Sequence, residues 1–332
     1  MHDESKSTGV RNTENVFNKI KNYLLKSKAL YLLGALFAII LFFFIMTPNF
    51  ITQTNLINVA RQMSINMIIA VGMTYVIVSG GLDLSVGSVG IMSGCLVGVL
   101  MAGYQVPIGL ALLIGLSAGA LCGFINGLVI TRLKVPPFVA TLGMSNIARG
   151  VAIVITGGYI IHGFPPLFNQ IGIGFFLGIP FPVYYMAVIV FIGHMMMSKT
   201  EFGLNVYAIG GNEPAARLAG LRVDAMKLRI YTLSGFLAAF GGIVLTARVI
   251  SAQPALMQTT SLEVIAAVFV GGSKMGGGSG TVMGTLLGAT IMALLFNGMN
   301  LIGVGYEWQQ VAIGIILILS VSLDKLKSGQ QT

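Results

Sequence analysis

The chain has 332 residues, of which 19 are Lys or Arg and 10 are Asp or Glu, so 9% are charged where a soluble globular domain carries roughly 25%. Hydrophobic residues make up 55% and glycine adds 44 more, which excludes a water-soluble body and points to an integral membrane protein. The formal charge of +9 needs no nucleic-acid partner if it gathers on one side of a bilayer, and Cys95 and Cys122, both inside apolar runs, imply neither a disulfide framework nor a zinc site.

Residues 1–28 read as a polar tail carrying Lys6, Arg11, Lys19, Lys21, Lys26 and Lys28. The uncharged run from Ala29 to Met46 follows; at 1.5 Å per residue it covers about 27 Å, one hydrocarbon core. It ends in Thr47-Pro48-Asn49 and has no small-residue cleavage site, so the expectation is a retained first span. Further spans are predicted at Ser64 to Ser79, Val86 to Ala102, Pro107 to Ile130, Pro137 to Thr156, Phe181 to Met197, Tyr231 to Val249, Leu262 to Gly271, Thr281 to Ile302 and Gln310 to Leu323. The run at Leu262 is too short to cross unaided and reads as a broken or re-entrant helix. The expected fold is an all-α polytopic membrane helix bundle of about ten transmembrane helices, within a range of eight to ten, with short broken segments. One transmembrane domain covers 29–324, with a polar loop at about 198–228 and a short tail at 325–332.

If the N-terminus is cytoplasmic and every span crosses, all Lys and Arg except Arg61, Arg149 and Arg248 fall on the cytoplasmic side. That asymmetry places both termini in the cytoplasm. Small residues recur at Gly90, Gly94 and Gly98, and at Gly115, Gly119, Gly123 and Gly127. Such stripes let helix backbones approach closely in lipid, so both spans are expected to be central and buried. A fainter echo links Gly80-Gly81 with Asn126-Gly127 and Gly271-Gly272 with Asn297-Gly298, as in transporters built from repeats.

Three polar interruptions carry the candidate functional residues. In SGGLDLSVGS, residues 79–88, Gly80, Gly81, Asp83, Ser85 and Gly87 either form a cytoplasmic turn with Asp83 capping the next helix or a flexible gate near the cytoplasmic mouth of a pathway. In GGSKMGGGSG, residues 271–280, Gly271, Gly272 and Lys274 form a second break, and Lys274 faces Asp83 if the two breaks lie at one level. No Walker A motif occurs in the chain. In the polar loop, Asn212 is a plausible N-cap, Glu213 and Pro214 suit the first turn and Gly220 suits the stop of a helix of about two turns. Within the spans, Arg149 is expensive unless it faces the bundle interior, where contact with solute and support of neighbouring carbonyls both stay open. Asn126, Asn297 and Asn300 either line a pathway or bond between helices.

Five strings in order, AVGMTYVIVSGGLDLSVGSV (70–89), EFGLNVYAIGGNEPAARLAGL (201–221), SAQP (251–254), LEVIAAVFVGGS (262–273) and NGMNLIGV (297–304), resemble the membrane permeases of ribose-type ABC importers over residues 50–324. The resemblance implies a translocation subunit of the bacterial inner membrane, with no catalytic residue, metal site or cofactor of its own, for ribose or a related monosaccharide. It implies a second permease subunit (homodimer or paralogous heterodimer), two ATPase subunits or one tandem ATPase that bind ATP and Mg, an extracytoplasmic solute-binding protein, and surrounding lipid. Glu213, Ala215, Ala216 and Gly220 match the E-A-A-x-x-x-G pattern that presents a coupling helix to the ATPase, with Pro214 intervening. The family's E-L-D-A-I-A-A string stands here as Ser261 to Ala267, and its A-G-G-K-G-R as Gly276 to Thr281, without the basic residues. The alternative, an ion-coupled secondary transporter of a small polar solute, needs intramembrane acids or histidines; Glu263, Asp83 and His194 are the thin candidates.

Overall fold

The computed structural model describes residues 28–329, with side chains described for residues 30–322. Residues 1–27 of the expected N-terminal tail and residues 330–332 lie outside the described part. Among the described residues there are thirteen helices and one two-stranded hairpin.

Helix α1 is Lys28–Met46, α2 Gln53–Val78, α3 Val86–Ala102, α4 Ile108–Arg132 and α5 Pro137–Thr156. Next come the short α6 (Pro166–Ile173) and a hairpin of β1 (Phe175–Phe176) and β2 (Ile179–Pro180), then α7 (Phe181–Lys199), α8 (Glu201–Gly211), α9 (Glu213–Leu218) and α10 (Val223–Val249). The chain closes with α11 (Thr260–Val270), α12 (Val282–Leu301) and α13 (Tyr306–Gly329). Each of the ten predicted spans is a helix, and α3 and α5 coincide with their predicted residues. Helix α2 starts earlier than predicted because Thr52 caps it, its Oγ1 accepting from Asn55 N at 3.4 Å, and because its polar first turns find partners inside the protein. Asn55 and Asn297 of α12 form a reciprocal amide pair at 2.7 and 2.8 Å. Helix α10 likewise gains its first two turns through ion pairs described below.

Two helices form the axis of the bundle. Over their most apolar 18 residues α2 and α10 are 78% and 72% buried, whereas α4, α5 and α7 are 22% buried. The glycine stripe of α3 lies within the core as predicted, Gly90 against the Ala238 carbonyl and Gly98 against Ala252. The stripe of α4 does not make that helix central, a correction to the expectation. Gly119 and Gly123 bring its backbone onto Gly235 and Tyr231 of α10, but Leu113, Leu121, Phe124 and Leu128 on its other sides are exposed. A small-residue stripe sets how closely two helices approach along one face, and says nothing of the other face.

Helix α11 has 11 residues, about 16 Å at 1.5 Å each, too short to cross a bilayer alone. Its first turn meets the first turn of α3. Ser261 Oγ donates to the Leu84 carbonyl at 2.9 Å and accepts from Gly87 N at 3.0 Å. Two helix starts, far apart in sequence, are thus joined inside the bundle.

Candidate functional site

The segment 79–85 leaves the end of α2 and turns back into the bundle. Asp83 is 1% exposed and lies beside Ser234, the twelfth residue of α10, about 17 Å from that helix's start. The break is a re-entrant turn reaching midway along α10, and α3 begins there. Asp83 Oδ1 accepts from Ser85 N at 2.9 Å and from Ser85 Oγ at 2.6 Å, and Oδ2 accepts from Ser234 Oγ at 3.0 Å. Asn126 Nδ2 of α4 donates to Ser85 Oγ at 2.9 Å, so the carboxylate collects donors directly from its own turn and from α10, and through Ser85 from α4. The turn's backbone is held as well: Leu84 N donates to Thr141 Oγ1 of α5 at 3.1 Å, and the Tyr231 hydroxyl donates to the Leu82 carbonyl at 3.3 Å. A buried acid without a cation is tolerable only with such a donor set.

The second break does not bring Lys274 to Asp83; among the described residues no ion pair involves either of them. Its glycines instead pack against other backbone. Gly278 N donates to the Val78 carbonyl, the last residue of α2, at 2.8 Å. Gly277 has φ +82°, and a Cβ there would stand 2.8 Å from Gly80 N and 2.9 Å from the Gly210 carbonyl. Gly210, near the end of α8, sits against the Val78 carbonyl and Gly278 N in turn. Both breaks and α8 therefore meet at one junction of bare backbone, from which α8 runs directly into α9. Gly271 and Gly272 lead into this loop from α11, Gly271 lying against Gly284 of α12.

Helix α8, read from sequence only as part of a polar loop, buries Val206 and Ile209 and places Phe202 edge-on to Tyr75 with ring centroids 5.4 Å apart. Its Tyr207 hydroxyl donates to the Gly280 carbonyl at 2.7 Å. Helix α9 is the short helix predicted around Pro214. Asn212 Oδ1 accepts from Ala215 N at 3.0 Å, Ala216 is buried, and Gly220 turns the chain at φ +86°. Glu213 accepts from Lys227 Nζ at 2.6 Å and from Arg217 at 2.9 Å; Arg217 also pairs with Asp224 at 2.5 Å, and Lys134 lies 3.8 Å from Asp224. Partial burial pushes the Glu213 carboxyl up, but the bonds from Lys227 and Arg217 outweigh that and hold it below the usual range. The network ties α9 to the first turns of α10, the helix that carries Ser234 to Asp83. Lys227, Asp224 and Ser234 were not singled out from sequence, where nothing distinguishes them from ordinary helix residues. Leu218, at the end of α9, is 90% exposed.

The remaining polar candidates separate by helix. Asn126 and Asn297 make the interhelical bonds given above, and Asn300 Oδ1 accepts from Gln309 Nε2 of α13 at 2.9 Å. Arg149, expected in the interior, is half-buried on the peripheral α5 and makes no hydrogen bond or ion pair among the described residues.

The family model described as branched-chain amino acid transport system / permease component matches residues 55–321. Ribose import permease protein RbsC of Bacillus subtilis is 43% identical over 297 residues, 89% of this chain and 92% of that protein. RbsC of Escherichia coli K12 is 40% identical over 92% of this chain and 96% of its own length, and fructose import permease protein FrcC of Rhizobium meliloti is 33% identical over 93% and 89%. No solved structure matches the chain. With both breaks, α8 and α9 inside the matched region, this multi-pass membrane protein belongs to the family of branched-chain amino acid transport system permease components.

Proposed function

We propose that the chain is the translocation subunit of an ATP-driven importer for a monosaccharide, ribose first among the substrates its relatives' names suggest. It sits in a bacterial inner membrane with both termini cytoplasmic and pairs with a second permease subunit, identical or paralogous. The observation that carries this reading is α9: a short helix braced by ion pairs, with an apolar tip at Leu218, in a chain whose relatives are sugar import permeases. In that role Asn212, Glu213, Ala215, Ala216 and Gly220 shape the element that an ATPase engages, and ATP and Mg stay on the ATPase, two subunits or one tandem chain. A soluble binding protein delivers the solute to the opposite face.

The mechanism is a population shift between two arrangements of one bundle. A push on α9 reaches α10 through Glu213–Lys227 and Arg217–Asp224, and reaches both breaks through α8 and the glycine junction. Helix α10 carries Ser234 and Tyr231, which hold the re-entrant turn at Asp83 and Leu82, so displacement of α10 moves the start of α3. Gly80, Gly81, Asp83, Ser85 and Gly87 on one break, and Gly271, Gly272 and Lys274 on the other, are the moving parts. Arg149, half-buried on α5, is assigned in this reading to contact with solute or to support of neighbouring carbonyls.

A mild-detergent pull-down from native membranes tests the assembly. An ATPase with Walker motifs and a soluble sugar-binding protein should co-purify, and recovery of this chain alone under conditions that preserve a known ABC complex would refute the importer reading.

A further inference from the structure

On the side of the bundle away from α9, a cavity of about 540 Å³ lies between the first half of α2, the last turns of α10, the segment leading into α11 and the start of α11, with Tyr306 of α13 at its edge. That size falls in the roughly 300–1,000 Å³ range of small-molecule sites. One chain of hydrogen bonds organises its wall. Thr259 Oγ1 donates to Glu263 Oε1 at 2.7 Å, Asn66 Nδ2 donates to Oε2 at 3.2 Å, and the Tyr306 hydroxyl lies 3.0 Å from Thr259 Oγ1. Because Thr259 gives its proton to Glu263, Tyr306 is the donor in the third bond. The Glu263 carboxylate is thereby fixed in orientation at the first turn of α11, where the positive helix end favours an anion, with acceptor positions left over on both oxygens.

Donors line the same cavity. Arg248 makes no hydrogen bond or ion pair among the described residues, and it feels the like charge of Arg61, which is itself occupied by the Ile173 carbonyl at 2.8 Å and the Phe175 ring. The Gln62 amide is also without a hydrogen bond among the described residues. Ile65 and Leu245 supply apolar wall. A fixed acceptor, unspent donors and an apolar strip suit a molecule with hydroxyls around its edge and C–H groups on its face. With Glu263 and Arg248 of opposite sign in one cavity, a ligand of either net charge is repelled by one of them as it is drawn to the other, whereas each neutral hydroxyl both donates and accepts and can bond to both.

We propose that this cavity is a holding site for one neutral monosaccharide-sized polyol, whose hydroxyls donate to Glu263 and accept from Arg248 and Gln62. The proposal rests on the importer reading, which puts the cavity on the face where a binding protein releases solute, and it adds the place and chemistry of capture.

Equilibrium dialysis of labelled D-ribose, D-fructose and D-galactose against the full chain in lipid nanodiscs tests it, with ribose 5-phosphate and choline as charged probes. At least one neutral sugar should bind saturably and better than either charged probe. Glu263→Gln and Arg248→Gln should each weaken binding about tenfold or more, the loss expected for a bond to a charged group. Gln62→Leu removes an exposed side chain with no bond of its own, so it keeps the fold, and should weaken binding about threefold, the size of one neutral hydrogen bond. No saturable sugar binding, stronger binding of a charged probe, or unchanged binding in the Gln62 and Glu263 variants would overturn the site. Sugar uptake by cells carrying the chain with its ATPase judges the importer reading separately. Uptake with no cavity binding removes this site alone, and cavity binding with no ATP-driven uptake removes the importer alone.

Discussion

At residues 79–85 the chain reverses using side chains, and at 271–280 it reverses almost without them. The first turn is anchored by Asp83, Ser85, Asn126, Ser234 and Thr141, all but sealed from solvent. The second has Gly276, Gly277 and Gly278 in sequence, leaves Met275 exposed, and is held by main-chain contacts to Val78, Gly80 and Gly210. Burial explains the contrast. A turn inside the bundle must satisfy its polar groups with protein donors and acceptors, while a turn at the surface can leave some to water and is limited only by how closely its neighbours approach. The buried turn is therefore specific in its chemistry and the surface turn specific in its shape.

Asp83→Ala should cause the largest loss, about 3–5 kcal/mol, because Ser85 and Ser234 lose their shared acceptor while buried. It reads as a large drop in thermal unfolding midpoint in detergent, and Asp83→Asn, which keeps an acceptor, should fall between the two. An Ala variant as stable as the native chain would show that the turn is not held by its carboxylate. Gly277→Ala should cost about 1–3 kcal/mol, since a Cβ at positive φ strains the backbone and meets Gly80 and Gly210. Gly276→Ala, with nothing within 4 Å, is the matched control and should be nearly neutral; equal effects at 276 and 277 would remove the argument from shape.

Smaller stability effects are expected at α9, whose charged side chains are partly exposed. Glu213→Gln should cost no more than about 1 kcal/mol, yet it should separate ATP hydrolysis from solute uptake in the reconstituted complex if α9 is the coupling element. The smallest effect is on acid. Because the folded Glu213 carboxyl is held below its ordinary value, its contribution is complete above that ordinary value and fades as pH falls through the depressed one. Glu213→Gln should therefore lower stability at neutral pH by that contribution and, with no carboxyl left to titrate, flatten the acid limb of the pH–stability curve.

Much of this architecture was legible beforehand. The ten apolar runs became helices, and the N-cap at Asn212 and the stop at Gly220 appeared where turn chemistry placed them. Helix α8 was missed because its Asn and Gly residues dilute an apolar face that only Tyr75 and the second break complete. The early turns of α2 and α10 were missed because Asn55, Arg61 and Lys227 look like loop residues until Asn297, Ile173 and Glu213 are set beside them. Glu263 was noticed only as a stray acid, since Asn66 and Tyr306, which give it a setting, are distant in sequence.

By itself the sequence determined that this is a membrane helix bundle, where its apolar runs begin and end, and where the chain must break. Those features follow from the cost of moving each residue out of water and from backbone preferences within a few neighbours, and both are local. Tertiary structure alone decided that Asp83 lies midway along α10, that α3 and α11 start against each other, and that the α4 stripe buries one face only. Depth and partnership belong to pairs of residues as far apart as Asp83 and Ser234, and no local pattern records which helix will stand opposite a given turn.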